Sequence, residues 1–271
     1  MRLSRTASKP LREYGYSPSR RLGQYFMVND YFLSLMSTYA GIQQTEVVLE
    51  AGPGLGFLTR CLARDASKVV AVEADSRMMS ILRNELADLD NVELIAGDIL
   101  KITLPYFDKI VSNPPFSISS TLLLRILNNP FRMAVFTFQK EFVQRLIASR
   151  GEKTYGAMAV VASRLAEVEL MDEVPKEAFF PATEVESVII RIRPKKNRQL
   201  VVDSEAFCSV VRALFTKRNR KVRNAIKPLL QPTGLKDTIL LGRSEISKYL
   251  DKRVRDLKPL DFEVIADALS K

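Results

Sequence analysis

The chain has 271 residues, 46% hydrophobic and 27% charged, which is enough apolar surface for one large or two modest cores and excludes disorder as the main state. Basic residues outnumber acidic ones by 41 to 31, a net charge of +10 with a pI near 9.6, so a polyanion, nucleic acid or an anionic membrane surface, is the expected partner. There is no histidine, which excludes imidazole-based triads, HExxH zinc sites and histidine phosphotransfer. The two cysteines, Cys61 and Cys208, lie far apart inside apolar patterns. They read as small buried hydrophobes in a reducing cytoplasm, with no metal site and no disulfide framework. No apolar run reaches the ~18 to 20 residues of a membrane span, so no span is expected.

Residues 1–20 read as a flexible basic arm, with Arg2, Arg5, Lys9, Arg12 and Arg20 set against one acid, Glu13. The stretch superficially resembles an organellar transit peptide, but it runs directly into the first motif with no spacer. Residues 45–51 form a short β-branched run, broken by Gly52, Pro53, Gly54 and Gly56 before a helical pattern through Ala66. Strands follow at Lys68–Glu73, Val92–Ile95, Lys109–Val111 and Met133–Phe138. Helices are expected at Ser76–Leu89, Ser119–Leu127, Glu141–Ser149 and Ala157–Leu165. Such alternation predicts a parallel sheet covered by helices on both faces. Two further runs, Glu167–Val174 and Val185–Arg193, have no helix between them and are expected to form an antiparallel hairpin at one edge.

The expected fold is therefore α/β, with a seven-stranded mixed sheet spanning residues 21–195, and a doubly wound sheet that ends in such a hairpin resembles the Rossmann-like, class I methyltransferase architecture. After a basic linker near Arg193–Gln199, composition shifts to short amphipathic helices punctuated by Pro228, Pro232, Gly234 and Gly242. Residues 196–271 read as a small all-helical second domain.

The glycine turn is GxGxG and not the dinucleotide fingerprint GxGxxG, since Phe57 is bulky, so a nicotinamide cofactor is disfavoured. A glycine turn between strand and helix still suits a nucleoside cofactor. Glu73 ends the next strand about 20 residues after Gly52, the interval at which a carboxylate accepts from ribose hydroxyls. Asp75 reads as a helix cap. Asp98, after the third strand, sits at the same sheet edge, where it is placed to accept from an adenine amino group.

The most specific element is Asn113-Pro114-Pro115-Phe116 at the end of the fourth strand. Paired prolines stiffen the backbone and remove two donors, leaving carbonyls as acceptors. An exocyclic amine conjugated to a base is a poor nucleophile. Accepting its two N–H bonds at the Asn113 side-chain oxygen and the Pro114 carbonyl concentrates lone-pair density on nitrogen and needs no histidine. Phe116 is placed to stack on the ring that carries the amine. From Ala206 to Lys236 there is no acid, while Lys217, Arg218, Arg220, Lys221 and Arg223 fall in one helix-like stretch, which is read as a phosphate-binding face.

These motifs, together with Leu22-Gly23-Gln24-Tyr25-Phe26 and Ala178-Phe179-Phe180-Pro181, resemble the small-subunit ribosomal RNA adenine N6,N6-dimethyltransferases from about Arg20 to Arg193. NPPF alone is shared with DNA adenine and protein glutamine methyltransferases; the LGQxF segment narrows the choice. The resemblance implies S-adenosylmethionine as methyl donor and two adjacent adenosines near the 3′ end of small-subunit (16S) RNA as target, alone or in a 30S-type particle. Gly52 and Gly54 match positions beside the donor's methionine part, Glu73 the ribose ligand, and Asp98 the contact to its adenine. Asn113 matches a donor-site position as well as the amine acceptor it forms with Pro114. Tyr25 and Met27 match positions that close over the donor, and Phe116 and Phe179 match two aromatic faces for the flipped base. Tyr25, Met27, Phe116 and Thr183 depart from the family's usual residues. A monomer in the cytoplasm is expected. The competing readings are a large-subunit RNA adenine methyltransferase and a non-catalytic ribosome-assembly or transcription factor on the same fold.

Overall fold

The computed structural model describes residues 11, 13–18, 23–195, 204–230 and 244–270. Arg2, Arg5, Lys9, Arg12, Arg20, Leu22 and much of the linker lie outside them, as do Pro232, Gly234 and Gly242. The seven runs read as strands form one sheet: β2 (Val47–Ala51), β3 (Lys68–Glu73), β4 (Val92–Ala96), β5 (Lys109–Ser112), β6 (Met133–Gln139), β7 (Ala166–Val174) and β9 (Ser187–Pro194). Their order is β4-β3-β2-β5-β6-β9-β7. The first five are parallel and β9 runs antiparallel to β6, so the mixed sheet and its edge hairpin are as the patterning predicts.

β2 is central because four of its five residues are buried, as a parallel strand covered on both faces requires. It feeds the glycine turn and helix α2 (Phe57–Asp65). The helix α3 (Ser76–Glu85) is capped by Asp75, whose side chain accepts from the Arg77 N–H, as expected of that residue. It ends at Glu85, short of the expected Leu89, because Leu86 leaves helical geometry.

Two features escaped the sequence reading. Helix α1 (Asp30–Ala40) is capped by Asn29 and ends at Gly41 in a left-handed conformation. A second sheet, of only two strands, pairs β1 (Phe26–Met27) with β8 (Phe179–Phe180), setting Phe26 opposite Phe180 and Met27 opposite Phe179. Two motifs about 150 residues apart are thereby joined backbone to backbone. The core beneath it contains Met27, Leu33, Met36, Leu62 and Phe179, each at most 3% exposed. Each such side chain contributes on the order of 1.5–3 kcal/mol.

The chain divides into two compact units, one of residues 1–140 with 169–193, the other of 141–168 with 194–271. The sequence reading placed residues 141–168 with the sheet. They group with the helices because α6 (Ala157–Leu165) packs on α7 (Ser204–Phe215) and α11 (Pro259–Ser270). Within that unit Phe215 stacks on Phe262 and meets Tyr155 edge-on, and the Tyr155 hydroxyl donates to the Leu257 carbonyl at 3.0 Å. Arg164 and Glu263 form an ion pair across the same packing.

Candidate active site

The carboxyl ends of β2, β3, β4 and β5 are tied together by hydrogen bonds made just past each strand. The Gly52 N–H donates to the Val72 carbonyl at 2.9 Å, the Gly97 N–H to the Glu73 carbonyl at 2.8 Å, and the Ser112 hydroxyl to the Ala51 carbonyl at 2.6 Å. Above them lie two adjoining recesses that share Gln24, Gly52, Glu73 and Pro115. One is walled by Tyr25, Met27, Gly54 and Asn113. The other, about 390 Å³, is walled by Val72, Asp75, Asp98 and Ile99. This is the edge at which α/β sheets bind nucleotides.

The glycines are needed for close approach. Gly54 has φ +58°, and a Cβ there meets Phe26 Cδ1 at 2.7 Å; at Gly52 a Cβ meets Pro115 Cδ at 3.1 Å. The turn is thus pressed between the amino-terminal motif and the Pro-Pro motif, with no room for a side chain. Glu73 Oε1 accepts from the Asp75 N–H at 2.9 Å. Burial pushes the Glu73 carboxyl upward, opposed by backbone N–H groups at Asp75, Gly54 and Ala74. Asp98 Oδ1 accepts from the Leu100 N–H at 2.9 Å and Oδ2 lies 3.5 Å from Lys101 Nζ.

Asn113 donates from Nδ2 to the Tyr25 carbonyl at 3.1 Å, and its Oδ1 is buried with no hydrogen-bond partner among the described residues. A buried amide oxygen without a partner costs about 1–3 kcal/mol, and this one belongs to a residue that lines the recess. Pro114 is buried, and it is Pro115 that joins Asn113 in the cleft wall. The Phe116 ring stacks on Tyr25 at 5.7 Å between centroids and meets Phe179 at 6.3 Å with 70° between planes. Phe116 and Phe179 are therefore brought together, but at an angle and not as parallel walls. Phe179 is 3% exposed and belongs to the core with Met27.

One residue of this site was missed. Glu50 in β2 is 1% exposed, accepts from the Thr59 hydroxyl at 2.7 Å and lines the recess beside Gly52. Burial pushes its carboxyl up to about 8. The available signal was an acid inside the apolar run Val47–Ala51.

The basic stretch needs two corrections. It is not one helix: α7 ends at Phe215, and residues 218–222 pair by backbone with 252–255, through Val222 N–H to Lys252 carbonyl at 2.9 Å and Val254 N–H to Arg220 carbonyl at 3.0 Å. Nor does it lack counter-charge, since Asp251 pairs with Lys221 and Arg223. Arg218 donates to the Lys153 carbonyl, while Lys217 and Arg220 are exposed with no side-chain partner among the described residues. Among the described residues no group of three or more His, Cys, Asp or Glu is arranged to hold a metal, and no helix is long and apolar enough to cross a membrane.

A parallel sheet with an antiparallel edge hairpin, a glycine turn, an acid at the end of β3 and an Asn-Pro-Pro-Phe motif after β5 belong to a Rossmann-like S-adenosylmethionine-dependent methyltransferase. The family model for ribosomal RNA adenine dimethylase matches residues 17–249, and the chain belongs to that family; it is an S-adenosylmethionine-dependent rRNA adenine methyltransferase. It is 42% identical over 216 residues to the "Probable ribosomal RNA small subunit methyltransferase A" of Methanopyrus kandleri, covering 79% of this chain and 78% of that one. The protein of the same name from Pyrococcus abyssi is 37% identical over 261 residues, 96% of this chain and 94% of the relative. Among solved structures, a dimethyladenosine transferase from Plasmodium falciparum superposes with a TM-score of 0.75 at 26% identity, covering 89% of this chain and 96% of that one. The 23S rRNA methyltransferase ErmE shares the fold, with a TM-score of 0.60 at 24% identity over 91% of this chain and the whole of that one.

Proposed function

We propose that the chain dimethylates N6 of two adjacent adenosines near the 3′ end of small-subunit ribosomal RNA, acting as a cytoplasmic monomer on that RNA or on a 30S-type particle. The observation that carries the chemistry is Asn113 Oδ1, buried and unpartnered beside Phe116 at a cleft lined by Gly52, Gly54 and Glu73. The choice of subunit rests on the relatives' names.

The residues fit the donor. Gly52 and Gly54 leave backbone room for its methionine part, Glu73 accepts from the ribose, Asp98 accepts from its adenine, and Tyr25 and Met27 cover it. When bound, S-adenosylmethionine supplies an electrophilic methyl group. The protein's task is to make the target amine nucleophilic. Asn113 Oδ1 and the Pro114 carbonyl accept its two N–H bonds and concentrate the lone pair on nitrogen. Phe116 stacks on the extruded adenine in place of its present contact with Tyr25, and Phe179 meets the base edge-on. Lys217, Arg218, Arg220, Lys221 and Arg223 hold phosphates and position the RNA without reading its sequence.

The test is transfer of labelled methyl groups to under-modified small and large subunits, followed by nucleoside analysis. Dimethyladenosine confined to small-subunit RNA supports the proposal. Label only in large-subunit RNA, or donor binding without transfer to either, refutes it.

A further inference from the structure

The amino-terminal segment was expected to be a free basic arm, yet Leu11 is 3% exposed and Tyr16 is 6% exposed. Both belong to a core cluster with Phe26, Leu55, Met78 and Leu82, so these two side chains pack with α3 and the glycine turn. The Tyr16 hydroxyl lies 3.0 Å from Asp75 Oδ2 and 2.9 Å from Gln24 Oε1. The Arg77 guanidinium sits 4.9 Å over the Tyr16 ring and also holds Asp75 through Nε at 3.3 Å and Nη2 at 3.1 Å. The single Tyr16 hydroxyl thus stands within hydrogen-bond distance of both walls of the cleft, its one proton serving either acceptor. Gln24 lines both recesses, and the Asp75 N–H is the group that fixes Glu73 Oε1.

We propose that Tyr16 is a positioning residue of the donor site, holding the Glu73–Asp75 turn against the Gly23–Met27 segment so that the cleft is assembled before the donor arrives. This rests on the reading of Glu73 as the ribose ligand. Tyr16 is not among the residues that line either recess; it acts through Asp75 and Gln24, which are. Burial, followed by the hydrogen bond to Asp75, pushes the phenol up to about 12, so the hydroxyl remains a donor across the working pH range. The carboxylate of Asp75 is its charged acceptor, and the cation of Arg77 flanks the pair. A hydrogen bond to a charged group is stronger than one between neutral groups, and a preassembled site spares the donor the cost of ordering it.

The experiment is calorimetric titration of the full chain with S-adenosylmethionine and with S-adenosylhomocysteine, for wild type, Tyr16→Phe, Asp75→Asn, the double variant and Glu73→Ala, alongside melting curves and steady-state rates. Tyr16→Phe keeps the buried ring. It is expected to weaken donor affinity roughly five- to tenfold, raise the donor KM by the same factor, and leave kcat at saturating donor within about twofold. The double variant with Asp75→Asn is expected to be no weaker than Asp75→Asn alone. Unchanged affinity in Tyr16→Phe while Glu73→Ala weakens it overturns the proposal but not the site. Unchanged affinity in both overturns the site reading and the proposal with it. Additive losses in the double variant, or a fall in kcat that tracks a fall in Tm, assign Tyr16 to general packing and also overturn it.

Discussion

Asn113 gives its amide N–H to the Tyr25 carbonyl at 3.1 Å, and that bond fixes which way the amide faces. The Oδ1 atom is left buried and without a partner among the described residues. The amino-terminal motif therefore orients the acceptor of the Asn-Pro-Pro-Phe motif, although the two lie far apart in the chain.

Asn113→Asp separates orientation from size. A carboxylate set against the Tyr25 carbonyl has no proton to donate, so two acceptors face each other in a buried site. The variant is expected to lose about 1–3 kcal/mol of stability and to transfer methyl groups poorly, as read by denaturant melts and single-turnover rates. A variant as stable as the parent would show that the Tyr25 bond does not set the amide.

Gly54 and Gly41 have similar backbone angles, φ +58° and +53°, but different surroundings. A Cβ at Gly41 meets nothing within 4 Å, whereas at Gly54 it runs into the Phe26 ring. Gly41→Ala is expected to cost about 1 kcal/mol, from backbone strain alone. Gly54→Ala adds roughly 1–3 kcal/mol of overpacking and weakens donor binding as well. Equal costs in paired melts would contradict the close approach of β1 to the turn.

Glu50 sets a pH dependence. Its carboxyl is pushed up to about 8 by burial, against 4.5 for the ordinary group. Between those values the folded chain holds a proton that the unfolded chain has released. Its contribution is therefore full below pH 4.5 and is lost as pH rises toward about 8. The slope is at most about 1.4 kcal/mol per pH unit. Glu50→Gln removes the titration, so stability of the variant is expected to vary less between pH 5 and 8, measured by denaturant titration. Identical slopes would place the proton elsewhere.

Lys217 and Arg220 are exposed and unpaired among the described residues, while Lys221 and Arg223 share Asp251. Charges without a counter-ion release more on meeting phosphate. Replacing Lys217 and Arg220 together by Ala is expected to flatten the log–log salt dependence of binding to a small-subunit RNA fragment by roughly 1.5. The Lys221 and Arg223 pair should change it less. The opposite order in salt titrations would move the RNA track toward Asp251.

Much of this was legible because parallel strands buried on both faces announce themselves as short apolar runs, and β2, β3, β5 and β6 do so. The ends of β3 and β5 then put Glu73 and Asn113 at one edge, and Asp98 joins them past the neighbouring strand β4. The two-residue strands β1 and β8 carry no period, so the pairing of Phe26 with Phe180 could not be read locally. Glu50 was hidden by its apolar neighbours. The Lys217–Arg223 stretch misled because charge pattern says nothing of backbone pairing, and residues 252–255 and Asp251 arrive from elsewhere in the chain. Tyr16 was overlooked for a similar reason: net charge marked residues 1–20 as a flexible basic arm, whereas Leu11 and Tyr16 pack in the core.

The most direct test compares wild type and Asn113→Ala in single-turnover methyl transfer to under-modified small subunits, with donor affinity measured separately. Loss of one preorganised acceptor predicts a rate about 10²–10³-fold lower, with donor still bound. Dimethyladenosine formed by Asn113→Ala at the parental rate would contradict the assignment of Oδ1 as the atom that prepares the amine.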